Sequence, residues 1–354
     1  MKLSFVIPVY NVEKYIEKTL SSLISQTESD FEVIIVNDGS TDSTYNIVKK
    51  IISENRLKNT KLINKANNGV SSARNIGLSE STGNYVIFLD GDDYVSENLV
   101  SIIYNCINEH EPDVVYWGYN VVKVDSETIM NYFERYDSNS TTMNGIDILE
   151  KYIINRTLHI WTGSIAYRRD LLIRNNLKYV EGCVNGEDQE FIIKALLSAR
   201  RVFFISQVLS FYVQREGSIS HIYNIKRFDA LNALIRTYKF IRNKNDIRLK
   251  KIEYAIKNEK IIDNFFYNYN SCLIYLFTQR NLSSNGAIKF IEYDIKKNYP
   301  ELNGIIRTLM QEYRGKSRKM FIQIKLYLSF PSVYCKLLKF NRKIKLLFNR
   351  NTSY

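Results

Sequence analysis

The first part of the chain alternates short apolar runs with amphipathic stretches, an order that predicts strands and helices in βαβ succession. Leu3 to Val9 and Phe31 to Val36 read as buried strands, Lys61 to Asn64 as a short third, and Tyr85 to Leu89 as a fourth. Behind Asn11, which is placed to cap a helix, Val12, Ile16, Leu20, Leu23 and Ile24 recur at near-helical spacing. Ile47, Val48, Ile51 and Ile52 mark a second helix, and Val70 to Ser81 a third that stops at Gly83. Ser96 opens a fourth, ended by Pro112, and Asp113 to Tyr119 is strand again. The polar stretch from Asn120 to Asn144 predicts a surface excursion or hairpin rather than core. A helix near Ile146 to Ile154, a segment around Trp161 to Tyr167, a helix from Glu187 to Ser198 and strands near Val202 to Ile205 and Val208 to Val213 follow. Beyond Tyr223 the strand signals fade and long helical patterns take over. The expected architecture is an α/β domain with a mainly parallel central sheet over residues 1–222, then an α-helical C-terminal region over 223–354.

Composition narrows the class. With 45% hydrophobic and 24% charged residues, the chain of 354 reads as globular rather than disordered. Cys106, Cys183, Cys272 and Cys335 form no CxxC pair, which favours free thiols in a reducing compartment over zinc or a disulfide framework. The apolar start is too brief for a signal peptide, and no run approaches the ~20 apolar residues of a membrane span. A cytoplasmic location is therefore expected. The formal charge of +12 is concentrated at one end: residues 313–354 hold eleven Lys or Arg and no Asp or Glu.

The candidate chemistry lies at strand ends, because ligands of open α/β sheets sit beyond the carboxyl ends of the strands. The first strand delivers Pro8-Val9-Tyr10-Asn11, the second Asn37-Asp38-Gly39-Ser40, the third Asn67-Asn68-Gly69, and the fourth Asp90-Gly91-Asp92-Asp93. Three carboxylates within four residues repel one another, so the last of these groups points to a bound cation. Taken alone, Asp38-Gly39-Ser40-Thr41 is a turn with a helix cap; its register with the other strand ends is what singles it out.

The ordered blocks Val6-Ile7-Pro8-Val9-Tyr10-Asn11, Asp38-Gly39-Ser40-Thr41-Asp42, Ala73-Arg74-Asn75-x-Gly77 and Leu89-Asp90-Gly91-Asp92-Asp93 resemble glycosyltransferase family 2 over about the first 220 residues. The resemblance implies a glycosyltransferase A-type, Rossmann-like fold and transfer of a sugar, with inversion, from a nucleotide-diphosphate donor, UDP-linked, to a saccharide acceptor. Bacterial surface or capsular polysaccharide is the product it implies. By the same resemblance, Asp38 accepts a hydrogen bond from uracil, the backbone of Pro8, Val9 and Tyr10 lines the base pocket, and Arg74 lies near the diphosphate or donor sugar. Asp90 and Asp92 form a hard-oxygen site for Mn2+ or Mg2+, with Gly91 between them at the donor and Asp93 supporting the turn. Gly186-Glu187-Asp188 matches the family's "ED" block, which makes Asp188 the candidate base and Glu187 its neighbour at the acceptor or sugar. Arg215-Glu216-Gly217-Ser218-Ile219-Ser220 resembles an "R-x-x-S-x-S" stretch, so Arg215, Ser218 and Ser220 are expected to close on the diphosphate. His221 follows as a further metal ligand or a plain loop residue, and Trp161 as an acceptor platform or a packing residue.

Two other classes fit the residues less well. A nucleotidyltransferase also places carboxylates and a metal at strand ends, but it needs a Gly-rich, basic phosphate loop after the first strand, and Pro8-Val9-Tyr10-Asn11 supplies none. A nucleic-acid-binding protein would use the basic tail, yet acidic strand ends and the lack of a recognition motif count against it. In the tail, Met320 to Leu328, Cys335 to Phe340 and Ile344 to Phe348 interleave bulky apolar residues with Lys and Arg. That composition suits an interfacial helix at an anionic membrane, here the inner face of the cell membrane, and a lipid-linked glycan acceptor would explain it. A solvated basic helix packed on its own domain has the same composition.

Overall fold

The computed structural model describes residues 2–54, 57–215 and 223–350, the last ten of them by backbone alone. Contacts divide the chain into two compact units, Met1–Ser218 and Ile219–Tyr354.

The first unit is an α/β layer structure around a ten-stranded sheet. Its strands are β1 (Leu3–Val9), β2 (Phe31–Asp38), β3 (Thr60–Lys65), β4 (Tyr85–Phe88), β5 (Tyr94–Val95), β6 (Val114–Val122), β7 (Thr128–Met130), β8 (Thr141–Met143), β9 (Ile165–Arg168) and β10 (Val202–Val213). The helices are α1 (Ile16–Ile24), α2 (Thr44–Ser53), α3 (Val70–Glu80), α4 (Leu99–His110), α5 (Gly145–Leu149), α6 (Arg169–Arg174) and α7 (Glu187–Ser198). The strand order is β3-β2-β1-β4-β9-β6-β10-β5, with β7 on β6 and β8 on β10. β1 to β4, β6 and β10 all run the same way, and β9 lies antiparallel between β4 and β6. The expected mixed α/β fold with a mostly parallel centre is the one observed, followed by helices. Strands buried on both faces read as continuous apolar runs, as Leu3 to Val9 does.

Four details differ from the sequence reading. Asn11 does not cap α1: it takes a left-handed φ of 51°, and the helix begins at Ile16. Its side chain is drawn sideways instead, accepting from the Thr41 amide at 2.8 Å. The two strands expected after residue 202 are one long β10, with shifts of register at Ile205/Val208 and Val208/Ser210 where the chain bulges. The stretch 120–144 is not wholly surface: Tyr132 is fully buried and packs against Tyr119. The helix near 146–154 is a short α5 continued by a π-helical turn, Glu150–Asn155.

The second unit is all helix: α8 (Asp229–Asn243), α9 (Lys250–Ala255), α10 (Ile261–Gln279), α11 (Ser284–Asn298), α12 (Leu302–Gln311), α13 (Arg318–Ser329) and α14 (Pro331–Arg350). α10 is its spine. Phe265, Phe266 and Tyr269 meet the Tyr327 ring of α13 edge-to-face, and Phe266 also meets Tyr334 of α14. None of the four cysteines forms a disulfide. Among the described residues, no helix is long and apolar enough to cross a membrane.

Candidate active site at the strand tips

The tips of β1 and β2 are tied to each other and to the start of α3. Asn11 donates its amide to Ser40 Oγ at 3.1 Å, returning the bond from Thr41. Asp38, buried at the end of β2, accepts from the amides of Asn68 (2.9 Å) and Gly69 (2.8 Å) and is ion-paired with Lys65. Its carboxylate therefore fixes the turn from which α3 departs. Lys65 belongs to no motif in the sequence, although it ends β3 directly opposite Asp38 in the parallel register. Pro8 and Val9 are buried in the strand end and Tyr10 is exposed.

α3 delivers Arg74, the centre of the site. Only 4% exposed, it donates from Nη2 to Asp90 Oδ1 at 2.7 Å and from Nη1 to Glu187 Oε1 at 3.3 Å. Its guanidinium lies 5.0 Å from the ring centroid of Tyr179, which is stacked on Phe191 at 4.1 Å. Burial opposes the charge, but Asp90, Tyr179 and Glu187 outweigh it and hold the guanidinium firmly protonated. Arg74 Nε has no partner among the described residues. No sequence motif marks Tyr179; only the fold brings it beneath the arginine.

The acidic turn is crowded, as its sequence implies. Asp92 pairs with Arg215 Nη2 at 2.6 Å, yet burial and the charge of Asp90 still push its carboxyl up to about 6. Asp93 is buried outright, and burial together with Asp92 and Asp90 raises it well above the usual carboxylate range. One of its oxygens accepts the Val213 amide at 2.7 Å, and the other has no partner among the described residues. Asp93 thus fastens the end of β10, two residues before Arg215, to the acidic turn. Gly91 is needed for close approach: a Cβ there would come within 2.8 Å of Val9 Cγ1.

Opposite this turn, Gly186 at φ 82° bends the chain into α7, whose first two residues are Glu187 and Asp188. Burial and the adjacent Asp188 raise Glu187 to about 7, against the pull of Arg74. Asp188 is half-buried. Burial raises the hydroxyls of Tyr152, Tyr167 and Tyr179, and the Asp188 charge adds to all three, which sets it among them electrostatically.

The structure therefore joins Arg74, Asp90 and Glu187 directly, and Asp92, Asp93 and Arg215 in a second group sharing the same turn. Asp38 and the Pro8 to Tyr10 segment sit at neighbouring strand tips, with Asp38 linked to the arginine only through the start of α3. Ser218, Ser220 and His221 lie outside the described residues. Trp161 is half-buried between Tyr119 and Tyr212, each with its ring centroid 5.4 Å away. His159 bonds the Tyr119 hydroxyl at 2.8 Å, and His110 stacks on Phe203.

Among the described residues, no group of three or more His, Cys, Asp or Glu is arranged to hold a metal. The donor set still fits one kind of ion. Asp90 and Asp92 are hard oxygen donors, and burial together with the Asp90 charge keeps the Asp92 carboxyl raised even beside Arg215. A Mg2+-like ion is commonly held by one or two carboxylates, so this pair is chemically suited to one.

Residues 4–174 match the family model described as Glycosyl transferase family 2. Over 220 residues the chain is 32% identical to the uncharacterized glycosyltransferase EpsJ of Bacillus subtilis, a match spanning 62% of this chain and 63% of that protein. It is 32% identical over 221 residues to the poly(ribitol-phosphate) beta-N-acetylglucosaminyltransferase TarS of Staphylococcus aureus, spanning 61% of this chain and 36% of TarS. The crystal structure of S. aureus TarS 1–349 in complex with UDP-GlcNAc superposes with a TM-score of 0.63 at 23% identity, over 88% of this chain and 93% of that one. The mannosyltransferase PcManGT from Pyrobaculum calidifontis, in complex with GDP-Man and Mn2+, does so with a TM-score of 0.52 at 16% identity, over 87% and 84%. These likenesses establish the fold. Strand-tip blocks, sheet topology and the matched model agree over residues 4–174, the stretch of the chain that matches glycosyl transferase family 2.

Proposed function

We propose that the chain is a glycosyltransferase that moves a sugar from a nucleotide-diphosphate donor, UDP-linked, to a saccharide acceptor with inversion at the anomeric carbon. The observation that carries this reading is Arg74, one buried guanidinium bonded to the acidic turn on one side and to the head of α7 on the other. It sets a leaving-group side and a base side at a fixed separation, the arrangement an in-line displacement needs. Asp188 takes the proton from the attacking hydroxyl. Glu187, bound to Arg74, positions acceptor or donor sugar. Arg215 turns its planar fork to the diphosphate oxygens, aided by Ser218 and Ser220. Asp38 orients the base beside Pro8, Val9 and Tyr10, and Asp90 and Asp92, with Gly91 between them, hold the divalent ion. When bound, such an ion, Mn2+ or Mg2+, would supply positive charge for the departing diphosphate. The UDP-GlcNAc of TarS and the Mn2+ of PcManGT support donor and metal.

The catalytic domain in this reading is 1–222, followed by the helical region 223–354. It works in the cytoplasm on a growing bacterial surface or capsular polysaccharide, its acceptor carried on a lipid at the inner face of the membrane. Release of UDP from a panel of UDP-sugars, with the anomeric configuration of the product read by NMR, tests the proposal. Asp188→Asn should cut turnover on the order of 10²–10⁴-fold while leaving UDP affinity in place. Unchanged turnover in that variant would remove Asp188 from the mechanism.

A further inference from the structure

α13 and α14 each have an inner face already committed to the helical core. Ile324 and Tyr327 of α13, and Tyr334 and Cys335 of α14, are buried. The Tyr334 hydroxyl is bonded to Asn270 at 2.6 Å and to Gln323 at 2.8 Å. An ordinary surface helix would be polar on the opposite side. Here the opposite side is apolar as well. Phe321 and Ile322 on α13, Phe330 at the corner, and Val333, Leu337 and Phe340 on α14 are all between 44% and 62% exposed. Val333, Leu337 and Phe340 follow i, i+4, i+7 spacing and so form one stripe along α14.

The charges on these two helices are of one sign. Arg318, Lys319, Lys325, Lys336 and Lys339 lie on the same two helices, Lys325 resting against the Phe321 ring and Lys339 against Phe277. No Asp or Glu occurs anywhere from 313 to 354. An apolar stripe on helices that themselves carry only cations discriminates among occupants. A second copy of the same face would bring like charges together, whereas an anionic lipid leaflet meets both requirements, taking the apolar groups into its acyl boundary and the cations at its headgroups. No described helix can cross a bilayer, so the helices would lie in its plane.

We propose that α13 and α14 form an interfacial docking surface for an anionic lipid bilayer, with Phe321, Ile322, Phe330, Val333, Leu337 and Phe340 as the inserting side chains. This deepens the membrane-facing part of the proposed function but does not depend on the chemistry at the strand tips. The test is co-sedimentation of the full chain with vesicles of phosphatidylcholine alone or mixed with phosphatidylglycerol. Binding is expected to the anionic vesicles and to fall steeply between roughly 0.1 M and 1 M salt. The triple variant Val333→Ser, Leu337→Ser, Phe340→Ser should weaken it about tenfold or more. Phe321→Ser with Ile322→Ser, on the other helix, should weaken it independently, with circular dichroism confirming that both variants keep their helix content. UDP release with a water-soluble acceptor should be unchanged in both, which separates failure of this surface from failure of the catalytic reading. Equal binding to neutral and anionic vesicles, or no binding, overturns the proposal. So does salt-sensitive binding to duplex DNA without vesicle binding, or a dimer in solution that the triple variant dissolves.

Discussion

The two units spend buried polarity in opposite ways. In the α/β unit, Asp38, Arg74, Asp93, Glu187 and Glu190 are buried, and the charges at the strand tips are left partly uncompensated: Asp93 has an oxygen with no described partner and Arg74 an Nε in the same position. In the helical unit the buried core is built of aromatic and aliphatic side chains around α10, and a buried Asp229 is met by the Tyr299 hydroxyl at 2.6 Å. Buried carboxylates that repel one another cost stability, and a fold tolerates that where the charge has work to do. The helical unit shows what the same chain does without such a demand. It packs apolar faces, and the buried side-chain nitrogen or oxygen left without a hydrogen bond among its described residues is a neutral hydroxyl, that of Tyr269.

Removing Arg74 is the most severe way to break the contrast. Arg74→Met keeps the volume but strips the cation bonded to both Asp90 and Glu187, and should destabilise the protein by about 3–5 kcal/mol in a denaturant titration. A loss under about 1 kcal/mol would mean those carboxylates are content without it.

The pH dependence of stability probes the same excess of negative charge. Glu187 moves from an ordinary 4.5 to about 7 on folding, so between these values the native state keeps a proton that the unfolded chain has lost. The Glu187 contribution to stability should therefore decline as pH rises through that window and level off above it, in the opposite sense to a salt-bridged carboxylate with a depressed value. Glu187→Gln should flatten the decline by up to about 3 kcal/mol, leaving the slope that Asp92 and Asp93 contribute in the same sense. Melting temperatures across the range decide it.

Arg215 sharpens the comparison at the rim of the site, where it is 38% exposed against 5% for the Arg74 side chain. In Arg215→Ala, Asp92 loses its cation. Mn2+ alone should then bind about tenfold tighter by calorimetry, while UDP in the presence of Mn2+ binds more weakly. Unaltered Mn2+ affinity would show that the guanidinium and the metal do not share Asp92. Smaller than the loss of Arg74, Tyr299→Phe in the helical unit should cost about 1.5 kcal/mol in a denaturant titration, chiefly the hydrogen bond from a neutral hydroxyl to the Asp229 carboxylate.

Much of this architecture is legible in the order of residues. Strands buried on both faces announce themselves as apolar runs, and polar residues clustered just after such runs are rare enough to be noticed, which is why Asp38, Asp90 and Asp92 stand out, whereas the Glu187-Asp188 pair stands out through its resemblance to a family block. α7 is readable because Gly186 and an acidic first turn mark a helix start. Strand direction is not, since a side-chain period of two is the same for parallel and antiparallel neighbours; hence β9 reads as no more than a segment. Asn11 misleads for a related reason: a residue suited to a helix cap is equally suited to a left-handed bend, and the loop after β2 decides between them.

By itself, then, the order of residues determined the elements, the mixed α/β class and the types of side chain gathered near strand ends, because those depend on local period and on which groups tolerate burial. Which oxygen meets which nitrogen was decided by the tertiary structure. Arg74 lies 113 positions from Glu187, and Asp93 lies 120 from Val213, so only the packing of α3, β10 and α7 around one sheet could bring them within bonding distance. The charge on each group followed from that packing, since burial and near neighbours, not sequence, set the cost of holding a proton or giving it up.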